Sequence, residues 1–305
     1  MKLFKFYAGA KHSRSVAPPA VGLLLLALLA MLTFAGSAFS AQATVNLGNA
    51  QSFGALSFAA MTNSGQNTVV YGDIGSSTSI GVGVTHPGYG AYGAGTPQLF
   101  NAQASLLTAY GFAEAQAPNQ PTITGANLAG RTLAPGVYNS SSDILISGPI
   151  ALTLDGGGDP NAVFIFQAAS SGNLTVDPTS TIAYQNGAQP CNVFWKVNSA
   201  FLKNTDKNFV GTILALTQIT LTEHLTVYGR VLARNADVTF IHDVVNTPAC
   251  SANPGPGPGP GPGPAAPPPP VVPPPAAKKP AVPPGARRTP RPRPKPPVRS
   301  FGLTG

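Results

Sequence analysis

Charge is the scarcest property of this 305-residue chain: Asp, Glu, Lys and Arg together make up 9% of it, against roughly a quarter in an average soluble domain. That scarcity excludes a helical bundle laced with ion pairs and argues against an enzyme built on acid–base networks. Sulfur is scarce too, with two cysteines and three methionines, and there is one tryptophan. Neither Cys191 nor Cys250 has a second Cys or His nearby at ligand spacing, so no cysteine metal centre is expected. Beyond the N-terminus no stretch is long and apolar enough to cross a bilayer. What the chain has instead is 34 Gly, 33 Pro and 43% apolar residues, which suits many turns around a real core.

The charges are unevenly placed. Residues 1–43 carry Lys2, Lys5, Lys11 and Arg14 and no acid. Residues 44–250 hold six basic against ten acidic side chains, a balance of −4, and 251–305 hold eight basic and no acidic ones. The formal +8 of the whole chain therefore misdescribes the mildly acidic centre. Nothing there reads as a nucleic-acid footprint, and no nucleic-acid partner is expected.

The N-terminus reads as a secretory signal over residues 1–43. A basic stretch precedes the apolar run Ala20 to Ala35, and Ala41-Gln42-Ala43 fits the small-x-small cleavage rule, with Ala38-Phe39-Ser40 as a second option. An uncleaved anchor is the alternative, although the run is short for a span. Export places the protein outside the cell or on its surface, where an even cysteine count suggests one disulfide, Cys191–Cys250. Two buried free thiols are the alternative.

One amphipathic helix stands out over Thr96–Ala117. Thr96 is placed as N-cap and Pro97 at the first helical position. Leu99, Ala102, Leu106, Tyr110 and Ala113 then form one apolar stripe, and Pro118 closes the helix. Before it, Ala55–Phe58 and Thr68–Tyr71 read as short strands, and the six glycines of residues 81–95 as a loop.

From about 122 to 248 a two-strand unit recurs. Val163–Phe166, Val193–Val197, Thr212–Ala215 and Arg230–Ala233 are each followed by a shorter strand, Leu174–Val176, Ala200–Leu202, Ile219–Leu221 and Val238–Phe240. Such a unit cannot bury its own inner face, but a stack of units can, which is the logic of a β-solenoid. Side chains alternate across a strand. The apolar flanks of each short strand then point inward, and Thr175, Phe201, Thr220 and Thr239 point outward in a column spaced by roughly 4.8 Å.

Several stretches resemble one known family. Gly158 to Gln167 (GDPNAVFIFQ) is similar to a signature of the microbial ice-binding-like proteins, the type 1 ice-binding or DUF3494 family. Cys191–Val197, Phe209–Ala215 and Gly229–Phe240 resemble its next landmarks, and Leu133–Tyr138 and Gly72–Gly75 its earlier ones. The resemblance covers about residues 45–250. It implies a mainly β fold, a right-handed discontinuous β-solenoid of triangular section with one long α-helix packed alongside. It also implies adsorption to ice, without catalysis or cofactor, through a sparsely charged face bearing Thr and small residues.

Physically, such a face must be rigid and present hydroxyls and methyls at regular spacing. Stacked strands supply the regularity, and Thr supplies both groups on a stiff χ1. The candidate ice face is Thr175, Phe201, Thr217, Thr220, Thr222 and Thr239, with Thr217 and Thr220 the best local Thr-x-x-Thr pair. Phe201 is bulky where Thr is expected. Asp177, Lys203 and Asp237 fall on or beside the face. Thr is also simply common in strands.

Other chemistry is thin. His86, His224 and His242 have no Ser or Cys partner in a nucleophile motif and read as surface or loop residues. Asp155–Asp159 offers calcium too few oxygens and reads as a turn, so no metal site is expected. Arg131, Arg230 and Arg234 are assigned to turn carbonyls or Asp partners. Residues 251–305 run Gly-Pro five times from Gly255 to Pro264 and then scatter eight cations among further prolines. They read as an extended tail, either a cationic arm for an anionic cell-envelope polymer or a plain spacer. The domains are therefore signal 1–43, solenoid 44–250 and tail 251–305, in a monomer that binds ice. The competing function is a cell-surface structural or adhesion module of the same fold.

Overall fold

The structure is a computed structural model and describes residues 42–250 apart from 66, 126, 204 and 205. The expected signal segment lies outside the described residues up to position 41, as does the whole 251–305 tail. The strands pair in parallel, residue on residue, from coil to coil. They line three sides of a β-solenoid. One side is covered by the helix, one is built from short strands, and the third begins with Thr132–Leu133, Leu152–Asp155 and Ile182–Gln185.

Alternation along each strand builds the core. On the covered side Tyr138, Phe166 and Trp195 point inward and stack, with ring centroids 5.3 and 4.0 Å apart. Phe209 closes the row against Trp195 at 5.7 Å. Burying each such side chain contributes roughly 1.5–3 kcal/mol. Trp195 Nε1–H, which burial would otherwise leave unmet, donates to the Val210 carbonyl at 2.9 Å. Asn208–Ala215 and Thr226–Ala233 each bend from the third side onto the covered side at a glycine. Gly211 holds φ 110° there, and a Cβ on Gly229 would collide with the Gly211 carbonyl.

The helix runs Pro97–Ala115. It buries the expected Leu99, Ala102, Leu106, Tyr110 and Ala113, with Ala109, against Val137, Ile165, Phe194, Leu214 and Leu232 of the covered side. Thr96 sits at the N-cap, but its hydroxyl donates back to the Gly93 carbonyl at 2.8 Å and caps no helical N–H. The C-terminal end stops at Ala115 because Gln116 is already extended. Gln167 satisfies the end, its Nε2 donating to the Ala113 and Gln116 carbonyls at 2.7 and 2.8 Å. Lys196 is 3% exposed and reaches Glu114 at 2.9 Å, passing over the Tyr110 ring. Burial, then the Glu114 charge, raises the Tyr110 hydroxyl to about 12.

The path of the chain explains the helix. The coils of residues 53–92 do not lie beneath residue 136. They stack on the last coils, Ala55 beside Val231, Met61 beside Val238 and Val70 beside Val245. The helix carries the chain back along the stack. Its 19 residues span about 28 Å at ~1.5 Å per residue, or roughly six coil spacings of about 4.8 Å. Stacking in sequence order therefore holds from Gly136 to Asn246 and is broken at this seam.

Two further expectations shift. The Gly-rich 81–95 stretch contains the two-residue strands Val84–Thr85 and Ala91–Tyr92, which pair with Val69 and Ile74 of neighbouring coils. Pairing with a formed ladder outweighs glycine's weak strand preference. The strand expected at Val163–Phe166 is Phe164–Gln167, with Val163 buried beside the helix cluster. Cys191 and Cys250 form a disulfide that ties the end of the solenoid to its middle.

Candidate functional site

The uncovered short-strand side is a seven-stranded parallel sheet. In stack order its strands are Ile144–Ile146, Leu174–Val176, Ala200–Leu202, Ile219–Leu221, Val238–Phe240, Ala60–Asn63 and Ser79–Ile80. The first five bury both end residues and turn one central side chain outward. Register then fixes a single outer row: Leu145, Thr175, Phe201, Thr220, Thr239 and Thr62. The row contains no charged side chain. Its four threonines hold hydroxyl and methyl on β-branched side chains with restricted χ1.

The row is not uniform. Leu145 and Phe201 are 37% and 40% exposed. The Thr175 and Thr220 hydroxyls have no protein partner among the described residues, whereas Thr239 and Thr62 hydroxyls share a hydrogen bond at 2.9 Å. Lys203 Nζ lies over the Phe201 ring, 5.1 Å from its centroid. Phe201 and Lys203 thus interrupt the row and leave Thr220, Thr239 and Thr62 as its longest Thr run.

The flanks hold the row in place. Asp237, which the sequence places near the face, accepts the Ala60 N–H at 2.8 Å and so anchors the seam. On the same flank Asn173 N–H donates to Asp143 at 2.8 Å, and Ser199 Oγ donates to Asn173 Oδ1 at 2.7 Å. Thr217 and Thr222 do not join the row. Their hydroxyls donate to the Asn198 and Leu202 carbonyls at 2.8 and 3.1 Å, tying each corner to the preceding coil. Asp177 flanks Thr175 and is half-buried. At one end Asn127 caps the sheet edge, accepting the Ser147 N–H at 2.9 Å and donating to the Ser147 carbonyl, which blunts pairing with another chain.

The Ice-binding-like family is matched over residues 55–246. The chain is 38% identical to an ice-binding protein of Nostoc sp. (strain HG1) over 76% of its own length and 84% of that protein. It is 32% identical to an ice-binding protein of Colwellia sp. over 74% and 92% of the two chains. Among solved structures it is similar to an ice-binding protein from an Antarctic biological consortium, with TM-score 0.62, 34% identity, and 68% and 92% coverage. It is also similar to one from the Antarctic ascomycete Antarctomyces psychrotrophicus, with TM-score 0.60, 32% identity, and 67% and 98% coverage. The chain belongs to the Ice-binding-like family.

Within this ice-binding-like domain, sequence reasoning missed two members of the row, Leu145 and Thr62. Leu145 lies in a strand set one coil before the first repeat that the pattern shows. Thr62 joins only because residues 60–63 dock on residues 238–240, a pairing that no local signal announces. The other chemistry resolves into turns. Asp155 accepts from Gly157 N–H, Gln185 and Asn186, and these bonds lower its carboxyl. Asp159 accepts from the Asn161 N–H at 2.8 Å. Arg230 donates to the Gln51 carbonyl at 2.9 Å, and Arg234 lies over the Tyr110 ring at 5.7 Å. His224 and His242, read separately as loop residues, come together with Glu223 at one corner. Among the described residues no helix is long and apolar enough to cross a membrane.

Proposed function

We propose that this protein binds ice through the outer row of the short-strand sheet and thereby inhibits ice growth or recrystallisation. The observation that carries the reading is the row itself. It is a register-locked column of Leu145, Thr175, Phe201, Thr220, Thr239 and Thr62 with no charge in it. Water ordered over repeating hydroxyls and methyls can merge with a growing crystal. A charged row would hold that water in another geometry. The names of the family's relatives support ice binding, while the choice of face rests on the row alone.

Adsorption needs no bond breaking, so the domain acts without catalysis and without a cofactor. The protein works outside the cell, exported by residues 1–43, with 251–305 as a cationic arm toward an anionic envelope polymer. The solenoid, residues 44–250, acts as a monomer. Ice recrystallisation inhibition and retention in a slowly growing ice hemisphere test the function. Retention no better than that of an unrelated solenoid would return the fold to the structural or adhesion role.

A further inference from the structure

The corner that follows the short-strand side gathers residues of different chemistry. Glu223 and His224 sit in the turn after Ile219–Leu221, and His242 in the corresponding turn after Val238–Phe240, one coil along the stack. Coil spacing stacks the two imidazoles, with centroids 5.3 Å apart and planes 14° apart. Glu223 Oε1 lies 3.8 Å from His224 Nδ1 and 3.9 Å from His242 Nδ1. One donor atom from each of the three residues falls within 4.8 Å of the others. His242 Nδ1 is buried and, among the described residues, has no hydrogen-bond partner, an uncommon and costly state for a polar nitrogen.

The backbone beneath these side chains is fixed. The buried Asp243 carboxyl accepts Leu225 N–H at 3.0 Å and Ile241 N–H at 2.6 Å, joining the two coils. His224 N–H also donates to the Ile241 carbonyl at 3.2 Å. Both histidines hold left-handed backbone, φ 62° and 58°, which L residues adopt at a cost. The left-handed backbone belongs to the turns, as it does at Asn186, but a turn does not call for two stacked imidazoles with a carboxylate facing both.

We propose that Glu223, His224 and His242 form a binding site for a divalent transition-metal ion of the zinc, nickel or copper class. Imidazole nitrogen and carboxylate oxygen are ligands these ions take. Ligand distances of about 2.0–2.2 Å place two ligands of one ion roughly 3–4 Å apart, the separation Glu223 already keeps from both rings. The rings must tilt from parallel so that both lone pairs meet at the ion. The exposure of Glu223 and His224 leaves room for that. Calcium and magnesium do not fit, since they take mostly oxygen. The ion would bridge consecutive coils beside the seam and bind only the folded chain, so it would stabilise the fold. This inference is independent of ice binding, because the three residues lie outside the Thr row.

The test is calorimetric titration of Zn²⁺ into the untagged full chain, with thermal melts in its presence and absence. One ion per chain and a raised Tm are expected. His242→Ala and the exposed Glu223→Gln should each weaken binding at least tenfold and lose the Tm shift, with the metal-free Tm showing that each variant folds. His86→Ala, whose ring engages the Tyr89 carbonyl instead, should bind as the parent does. With Cu²⁺, nitrogen hyperfine coupling should disappear in the His224→Ala/His242→Ala double variant. Absence of binding, or unchanged affinity in that double variant, would overturn the proposal.

Discussion

The Thr62 and Thr239 hydroxyls lie 2.9 Å apart although 177 residues separate them in sequence. The contact exists because the N-terminal coil docks on the last C-terminal coil, and it extends the Thr row across the seam. Thr62→Tyr should therefore impair ice activity as strongly as Thr239→Tyr. Both should reduce recrystallisation inhibition roughly tenfold or more, while stability changes by no more than about 0.5 kcal/mol, as is usual at surface positions. Side-by-side inhibition assays and melts check this. Full activity in Thr62→Tyr would end the row at Thr239.

Phe201 and the Lys203 ammonium above it interrupt the same row. Phe201→Thr would close the gap between Thr175 and Thr220 and make the row continuous in threonine from Thr175 to Thr62. Inhibition should strengthen severalfold. Because Phe201 is 40% exposed, the change should cost well under the roughly 3–5 kcal/mol of a buried Phe truncation. A dose–response series of both proteins reads the effect, and an unchanged or weakened response would mean that the ring contributes to adsorption.

The Cys191–Cys250 bridge spans a sequence separation of 59. By loop-closure entropy, removing it should cost about 4 kcal/mol. Cys191→Ala/Cys250→Ala should lower the denaturant midpoint accordingly and leave ice activity intact at low temperature, since neither residue touches the row.

Alkaline pH gives a separate check on the core. Burial raises Tyr110 and Tyr138 to about 12, and the Tyr138 hydroxyl donates to the Ala134 carbonyl at 2.7 Å. Their folded pKa values exceed the unfolded value near 10. The stability tied to their protons is thus complete below about pH 10 and is lost as pH rises through about 12. Stability curves from pH 9 to 12 should fall, and Tyr138→Phe should flatten part of the fall at the cost of one hydrogen bond. A flat parent curve would contradict this.

Much of the architecture was legible because it is written in period two. The apolar flanks of Leu174–Val176 through Val238–Phe240 predict which residues face out, and Thr175, Phe201, Thr220 and Thr239 do. The helix stripe is equally plain. What stayed illegible depends on order in space. Nothing near residue 62 or residue 145 says which coil lies beside it, and His224 and His242 become neighbours only through the coil spacing. Thr217 and Thr222 look like row members by composition, yet their hydroxyls hydrogen-bond to the preceding coil. Gln167 caps the helix end from another coil, which no helix signal encodes.

The most direct measurement is partition into a slowly growing ice hemisphere of the parent, of Thr220→Tyr and of Thr153→Tyr, the last substituted on the third side of the solenoid. The parent and Thr153→Tyr should be incorporated alike, and Thr220→Tyr should be excluded with its fold intact. Equal incorporation of Thr220→Tyr, or exclusion of Thr153→Tyr in its place, would contradict adsorption through the short-strand row.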